Sequence, residues 1–374
     1  MQRIFLDNNG TTPLDPLVAE AMVAELQAGP SNPSSIHSFG RAANLRLSLA
    51  REKIASYLGV DPQELIFTSS GTESLNLAIL GLKPFGHIIT SRIEHAAVFE
   101  TIAQLGLPTT YLPVGSKGHI EIDDLKEAIS PDTSLIALSA ANSETGVKNP
   151  LNEIAAIAEK NGVPLVVDGV ALLGKENFTI PSGVSAMAFS AHKIHGPKGV
   201  GLLYVKKGTK LSPLLYGGGQ ERSKRPGTEN LPGIIGFAKA IELLSTSSME
   251  HMKEMRDLLE SSLPGVQING TGPRVCNTSS ITFPNMDGEA LLIQLDQLGI
   301  AASMGSACSS GSLEPSKVLL EMGLTRNEAL STLRFSVSRF TTRSEIEKVI
   351  KHFSCQRKVK MSSPFCKVKM SSFR

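Results

Sequence analysis

From Glu64 onward the chain alternates short apolar runs with helical stretches, and that alternation limits what it can become. Candidate strands are Leu65–Thr68, His87–Ser91, Thr110–Val114, Leu135–Ser139, Leu165–Asp168, Ala186–Ser190 and Leu202–Val205. Helical stretches lie between several of them, such as Leu151–Lys160 with Leu151, Ile154, Ala155 and Ala158 on one face. The pattern predicts an α/β fold with a mostly parallel seven-stranded sheet flanked by helices. Ligands of such sheets bind outside the strand ends. Thr72, His95, Asn142, Asp168 and Ser190 are expected along that rim.

Three stretches give the rim a chemistry. Ala186–Ser190 runs into Ala191-His192-Lys193, and Gly196-Pro197-Lys198-Gly199 then turns the chain toward the next apolar run. A lysine at a strand end can lose its proton when desolvated and capture an aldehyde; a surface lysine in a loop is the plainer alternative. Leu165-Val166-Val167-Asp168 is an apolar run ending in a carboxylate. Ser69-Ser70-Gly71-Thr72-Glu73 follows another strand and opens a helix, where backbone N–H groups favour an anion. Amine, carboxylate and anion cradle are together what pyridoxal phosphate requires: a partner for its aldehyde, one for its ring nitrogen and one for its phosphate.

The rest of the chain divides around this unit. Residues 1–15 read as a short extended segment, a helix starts near Pro16, and Asn32 to Gly40 is a polar loop, either a surface connection or the lip of a substrate pocket. Ala42 to Leu58 has helical spacing. Gly217 to Thr228 is glycine-rich with clustered cations, and a helix follows at about 233–244. Small polar residues at 245–248 mark a boundary. A large domain is therefore expected over 15–248, and a smaller α+β unit from 1–14 with 249–354, including a strand over 279–283 and a helix over 288–298. Residues 355–374 form a basic tail in which Lys358-Val359-Lys360-Met361-Ser362-Ser363 recurs as Lys367-Val368-Lys369-Met370-Ser371-Ser372, read as a solvated, disordered end.

Composition excludes several classes. A net charge of +2 gives no electrostatic case for nucleic acid or membrane binding, and no run is long and apolar enough to span a bilayer. Cys276, Cys308, Cys355 and Cys366 make neither a disulfide framework nor a metal-site spacing, so a cytoplasmic enzyme with reduced thiols is expected. Cys308 lies in Ser303 to Ser312, nearly all small residues, where a thiol is expected to be exposed and able to swing.

Taken together, Thr68 to Ala78, Glu94-His95, Phe189 to Lys193 with Gly196 to Gly199, Gly217 to Arg222, and Gly305 to Pro315 resemble the cysteine desulfurases of the iron–sulfur cluster assembly type, over about Leu6 to Thr342 and in that family's order. The resemblance implies the pyridoxal-phosphate transferase fold of type I and conversion of L-cysteine to L-alanine, with sulfur left as a persulfide on Cys308. It further implies that Lys193 holds the cofactor and moves the Cα proton, Asp168 pairs with the ring nitrogen, and His95 stacks on the ring and assists proton transfer. Gly71, Thr72, Ser190 and His192 match phosphate positions, as does Thr228, which would reach in from the other subunit of a homodimer. Asn142 and Ser143 match cofactor positions, and Asn32 and Arg334 match those that hold the substrate carboxylate. No resident metal is implied, beyond Cys308 as a transient iron–sulfur ligand. An iron–sulfur scaffold or another sulfur acceptor is the implied partner.

Two positions depart from the family pattern. Asn142-Ser143 stands where a pair of asparagines is usual, and Ala171 where a glutamine follows the cofactor aspartate. Both missing amides would meet the cofactor's phenolic oxygen, so weaker or retuned cofactor binding is expected. Two alternatives stay open: a selenocysteine lyase or another enzyme of the same fold, and a cofactor-impaired partner in sulfur transfer.

Overall fold

The computed structural model describes residues 3–305 and 314–362, with backbone alone for 354–362. Cys308 and residues 363–374 of the tail lie outside the described residues. The strands in chain order are β1 (Ile4–Phe5), β2 (Leu65–Thr68), β3 (His87–Ser91), β4 (Thr109–Leu112), β5 (Thr133–Ser139), β6 (Leu165–Asp168), β7 (Ala186–Ser190), β8 (Gly201–Val205), β9 (Gln267–Ile268), β10 (Thr278–Thr282), β11 (Ile300–Ala301) and β12 (Thr332–Ser336).

Seven of these form the main sheet in the order β2-β8-β7-β6-β5-β3-β4. All neighbours are parallel except β8, which runs antiparallel to both β2 and β7. The strands are apolar along their length because both faces are covered. Successive residues feed opposite sides: Ile66, Ile88, Leu135, Val166 and Ala188 join one cluster, while Phe67, Ile89, Ile136, Val167 and Phe189 join the other. The seven-stranded, mostly parallel sheet is the one the alternation predicts. β4 starts and ends earlier than expected, and β5 begins at Thr133.

A second unit has its own core of Ile4, Leu6, Met252, Leu259, Ile281, Leu291, Phe335 and Phe353. Its sheets are β12-β10-β9, antiparallel, and the parallel pair β1-β11. The helix Lys317–Glu321 sends Val318 and Leu319 into the main sheet's core instead, so the C-terminal part of the chain touches both cores. The last helix, Arg343–Ser362, continues past residue 354, the end set for the small unit from sequence. Its 355–362 portion is helical backbone where a disordered tail was expected, because the helix begun at Arg343 runs on unbroken. Among the described residues, no helix is long and apolar enough to cross a membrane.

Candidate active site

β7 ends at Ser190, and the chain makes one tight turn, Ala191–Lys193, before β8 returns alongside with Ser190 paired to Gly201. Gly201 has no room for a side chain: a Cβ there would lie 2.4 Å from the Ser70 carbonyl. The cradle therefore rests directly on the lysine-bearing hairpin. Lys193 Nζ donates to the carbonyls of Asn9 (2.5 Å) and Gly10 (2.9 Å). Burial, and then the Arg334 charge, lower its pKa to about 8 against the opposing pull of Asp168 and Asp7. A good share of the amine is thus neutral near physiological pH. His192, with Nδ1 3.1 Å from Thr11 Oγ1, is pushed down to about 4 by burial and by Lys193, and is a neutral imidazole.

Asp168 is buried at the end of β6, beside β7, and its Oδ1 accepts the Val170 N–H at 2.9 Å. Burial raises its pKa; the Val170 N–H, His95 and Lys193 oppose the shift. A cation or protonated nitrogen brought alongside would keep it ionised. His95 caps the helix Ala96–Leu105, its Nδ1 accepting from Ala97 N at 3.0 Å, which assigns the ring proton to Nε2. Glu94 is a buried acid that sequence reasoning passed over. Burial and the nearby Asp168 raise its pKa to about 8, while Ser91 Oγ donates to it at 2.6 Å.

The segment after β2 opens a helix, as the sequence predicts. Ser70 caps the helix Gly71–Gly81 by accepting from Glu73 N at 3.1 Å, leaving the Gly71 and Thr72 N–H groups at the helix end for an outside acceptor. Gly71 is required: a Cβ there would meet Val170 Cγ2 at 2.7 Å and Ser190 Cβ at 3.7 Å. That close approach brings the helix end up to Ser190, whose Oγ is buried with no hydrogen-bond partner. A buried hydroxyl left unmatched beside free N–H groups is what a phosphate would satisfy.

Arg334, on β12, is 6% exposed. Its Nη2 pairs with Asp7 Oδ1 at 2.6 Å and its Nη1 donates to the Ser143 carbonyl at 3.2 Å, while Nε is buried without a partner. One donor of the guanidinium fork is therefore open to a carboxylate. The Arg334 backbone pairs with Ser303 in both directions (2.6 and 3.1 Å), so the chain enters 306–313 from beside this cation. Glu144 stands at both ends of that segment: it accepts from Ser316 Oγ at 2.5 Å, and a Cβ on Gly305 would come within 2.6 Å of its Oε2. Burial raises its pKa.

The other candidates are placed less directly. Asn142 spends its side chain on its own loop, accepting from Glu144 and Thr145 N–H and donating to the Ile93 carbonyl. Ser143 contributes its carbonyl to Asn9 and Arg334. Ala171 packs against the main core and offers no polar group. Asn32 Oδ1 accepts from Ser34 N, and Thr228 is exposed. Asn9 is the residue that sequence reasoning most clearly missed. Besides receiving Lys193, it bonds Ser143, Thr278, Asn277 and Ser336, tying both units together.

The aminotransferase class-V family model matches residues 4–349. The chain belongs to the class-V aminotransferase family. Members of that family use pyridoxal phosphate. Within it, the chain is 43% identical over 367 residues to a cysteine desulfurase of Nostoc sp. (strain PCC 7120), covering 94% of this chain and 92% of that one. It is 41% identical to the cysteine desulfurase IscS of Methanosarcina thermophila, over 93% and 90% of the two chains. Among solved structures, a NifS-like protein superposes with a TM-score of 0.88 at 36% identity, covering 96% of this chain and 100% of that one. A structure of SspA in complex with cysteine gives 0.82 at 32% identity, over 91% and 100%. Among the described residues, no group of His, Cys, Asp and Glu could hold a metal ion.

Proposed function

We propose that this chain is a pyridoxal-phosphate-dependent cysteine desulfurase that moves sulfur from L-cysteine to Cys308. The residues fit the cofactor: Lys193 for its aldehyde, Asp168 for its ring nitrogen, and Gly71, Thr72, Ser190 and His192 for its phosphate. When bound, the cofactor supplies an electron sink for the carbanion left by Cα deprotonation. Arg334 and Asn32 receive the substrate carboxylate. Lys193 takes the Cα proton, a role suited to an amine with a pKa of about 8; His95 assists proton movement from the capped end of its helix. The Cys308 thiol gives up its proton and its thiolate attacks the substrate sulfur. An S–S bond forms as the Cβ–S bond breaks, the bonding pair stays with the carbon skeleton, and that skeleton takes a proton and leaves as L-alanine. No outside oxidant or reductant is needed.

The observation that carries this reading is the meeting of Lys193, Asp168 and Arg334, with the strand leading to Cys308 bonded to Arg334 itself. The working form is a cytoplasmic homodimer in which Thr228 serves the other subunit's phosphate, and the persulfide goes to an iron–sulfur scaffold or another acceptor. Exposed apolar side chains support the dimer, among them Leu17, Leu26, Ile36, Phe39, Leu45 and Tyr216.

The test is purified protein incubated with L-cysteine, with alanine and protein-bound persulfide measured together. Lys193→Ala is expected to lose both, and so is Cys308→Ser. Alanine production unchanged in Cys308→Ser would overturn the reading in favour of another enzyme of this fold. Affinity for the cofactor, followed by fluorescence, is expected to rise in Ala171→Gln, because the added amide supplies a bond that Ala171 and the Ser143 carbonyl cannot.

A further inference from the structure

Lys175, Arg256 and Arg334 are the most buried cations among the described residues, and Lys175 differs from the other two. Arg334 is paired with Asp7 and Arg256 with Asp257, whereas the partners of Lys175 are carbonyl oxygens: Lys193 O at 2.6 Å and Leu173 O at 3.5 Å. Gly174 makes this approach possible. Its φ of +71° turns the chain, and a Cβ there would strike Ile194 Cγ2 at 2.8 Å, in the residue after the reactive lysine. Lys175 and Lys193 share the wall of a cavity of ≈ 20 Å³ with Asn8, whose Oδ1 is buried and unpartnered. That space admits a water molecule, and none of the residues lining it is an acid.

We propose that Lys175 is a positioning residue for Lys193: it clamps the carbonyl of the reactive lysine from behind and sets an unneutralised positive charge near it, favouring the neutral amine. Leaving a buried cation without an acid is costly, and the fold tolerates it beside the one amine whose chemistry benefits. The charged and titratable groups facing Lys175 are Cys276, Lys193, Arg339, His195 and His192; those facing Lys193 are Lys175, Arg334, Asp168, Asp7 and His192. Arg339 is neutralised by Asp15, and both histidines are held neutral by burial. Burial also lowers Lys175 itself to about 8, so half its charge is lost at that pH and the full charge is present only well below it.

The inference rests on the reading of Lys193 as the amine that holds the cofactor. Its test uses the apoprotein and can fail separately. Wild type, Lys175→Met and Lys175→Arg are labelled with trace acetic anhydride across a pH series, and labelling of the Lys193 peptide is followed by mass spectrometry. In Lys175→Met the midpoint of Lys193 labelling is expected to rise, with neutral-pH labelling falling roughly tenfold; Lys175→Arg stays near wild type. In the loaded enzyme the pH midpoint of the cofactor's visible absorption moves the same way. Lys175→Gln, which keeps a donor but not the charge, replaces the Met variant if that fails to fold. A Lys193 midpoint equal to wild type in the neutral variant overturns the proposal, whatever the melting temperature does. Loss of cofactor capture in Lys193→Ala tests the underlying reading independently.

Discussion

At the scale of single residues, burial sets the charge states that the site depends on, and the same shifts make stability depend on pH. His192 and His195 are both lowered to about 4, chiefly by burial; His195 donates from Nδ1 to the Pro13 carbonyl at 2.9 Å and meets the Phe340 ring edge-on. A histidine kept neutral in the fold but protonated when unfolded contributes stability that is complete above about pH 6.5 and is lost as pH falls toward 4. His195→Gln is therefore expected to flatten the fall in melting temperature across that window, removing on the order of 3 kcal/mol of pH-dependent stability. Lys175 works in the opposite range. Its folded value of about 8 lies below the usual lysine value, so wild type gains stability between pH 8 and about 10.5, and Lys175→Met should lack that gain in denaturant titrations run at both ends. Arg334→Lys should raise the KM for L-cysteine about tenfold or more with a smaller change in kcat, because a point charge cannot reproduce the open fork. Lys193, Asp168 and the Ser70–Thr72 cradle were legible because each sits at the end of a local pattern, a strand or a helix start. Asp7, Asn9 and Lys175 were not. Asp7 meets Arg334 across 327 positions and Asn9 meets Lys193 across 184, separations that no local pattern records.

Among the elements, Gly217 to Thr228 was read as a glycine-rich turn with cations, and its most constrained residues turn out not to be glycines. Glu221, Arg222 and Ser223 have φ of 45°, 55° and 60°, three successive residues in the left-handed region. Such residues cost of order 1 kcal/mol or more each and persist only where the surroundings over-determine them. Here the surroundings are the edge of the main sheet. Glu221 takes both Arg51 Nη groups (2.5 and 3.0 Å) and the free Phe67 N–H of edge strand β2 (2.9 Å), while Arg51 and Arg222 donate to the Leu65 carbonyl. The segment thus closes the open edge and stiffens the strand that leads into the anion cradle. Arg225 adds a bond to Glu73 at 2.9 Å within the first turn of the cradle helix. Glu221→Ala should cost about 3 kcal/mol, since it strands Arg51 and frees the turn. Limited trypsin digestion should then cut after Arg222 or Lys224 faster than it does in wild type. The main sheet's strand positions were legible to within a residue or two because both covered faces demand apolar runs, whereas β9, β11 and β12 of the smaller unit were not. The left-handed turn was not, because its cause is a carboxylate buried against a distant helix.

Across the whole molecule, the exposed apolar side chains along Pro16–Gln27, Ser38–Leu58 and the Leu215-Tyr216 corner argue for a second copy. Wild type is expected to run as a dimer in light scattering and the double variant Leu26→Glu with Leu45→Glu as a monomer, which should also bind cofactor more weakly if Thr228 completes the neighbouring site. The two-unit plan has an outcome in time as well. The carbonyls that hold Lys193 belong to Asn9 and Gly10, and that stretch is pinned by β1 to Ile300–Ala301 and by Asp7 and Asn8 to Ser336. During synthesis the 4–10 stretch therefore stays unmoored until Ile300–Ala301 and Ser336 have been made. The contacts that hold Lys193 can close only once β12 is in place.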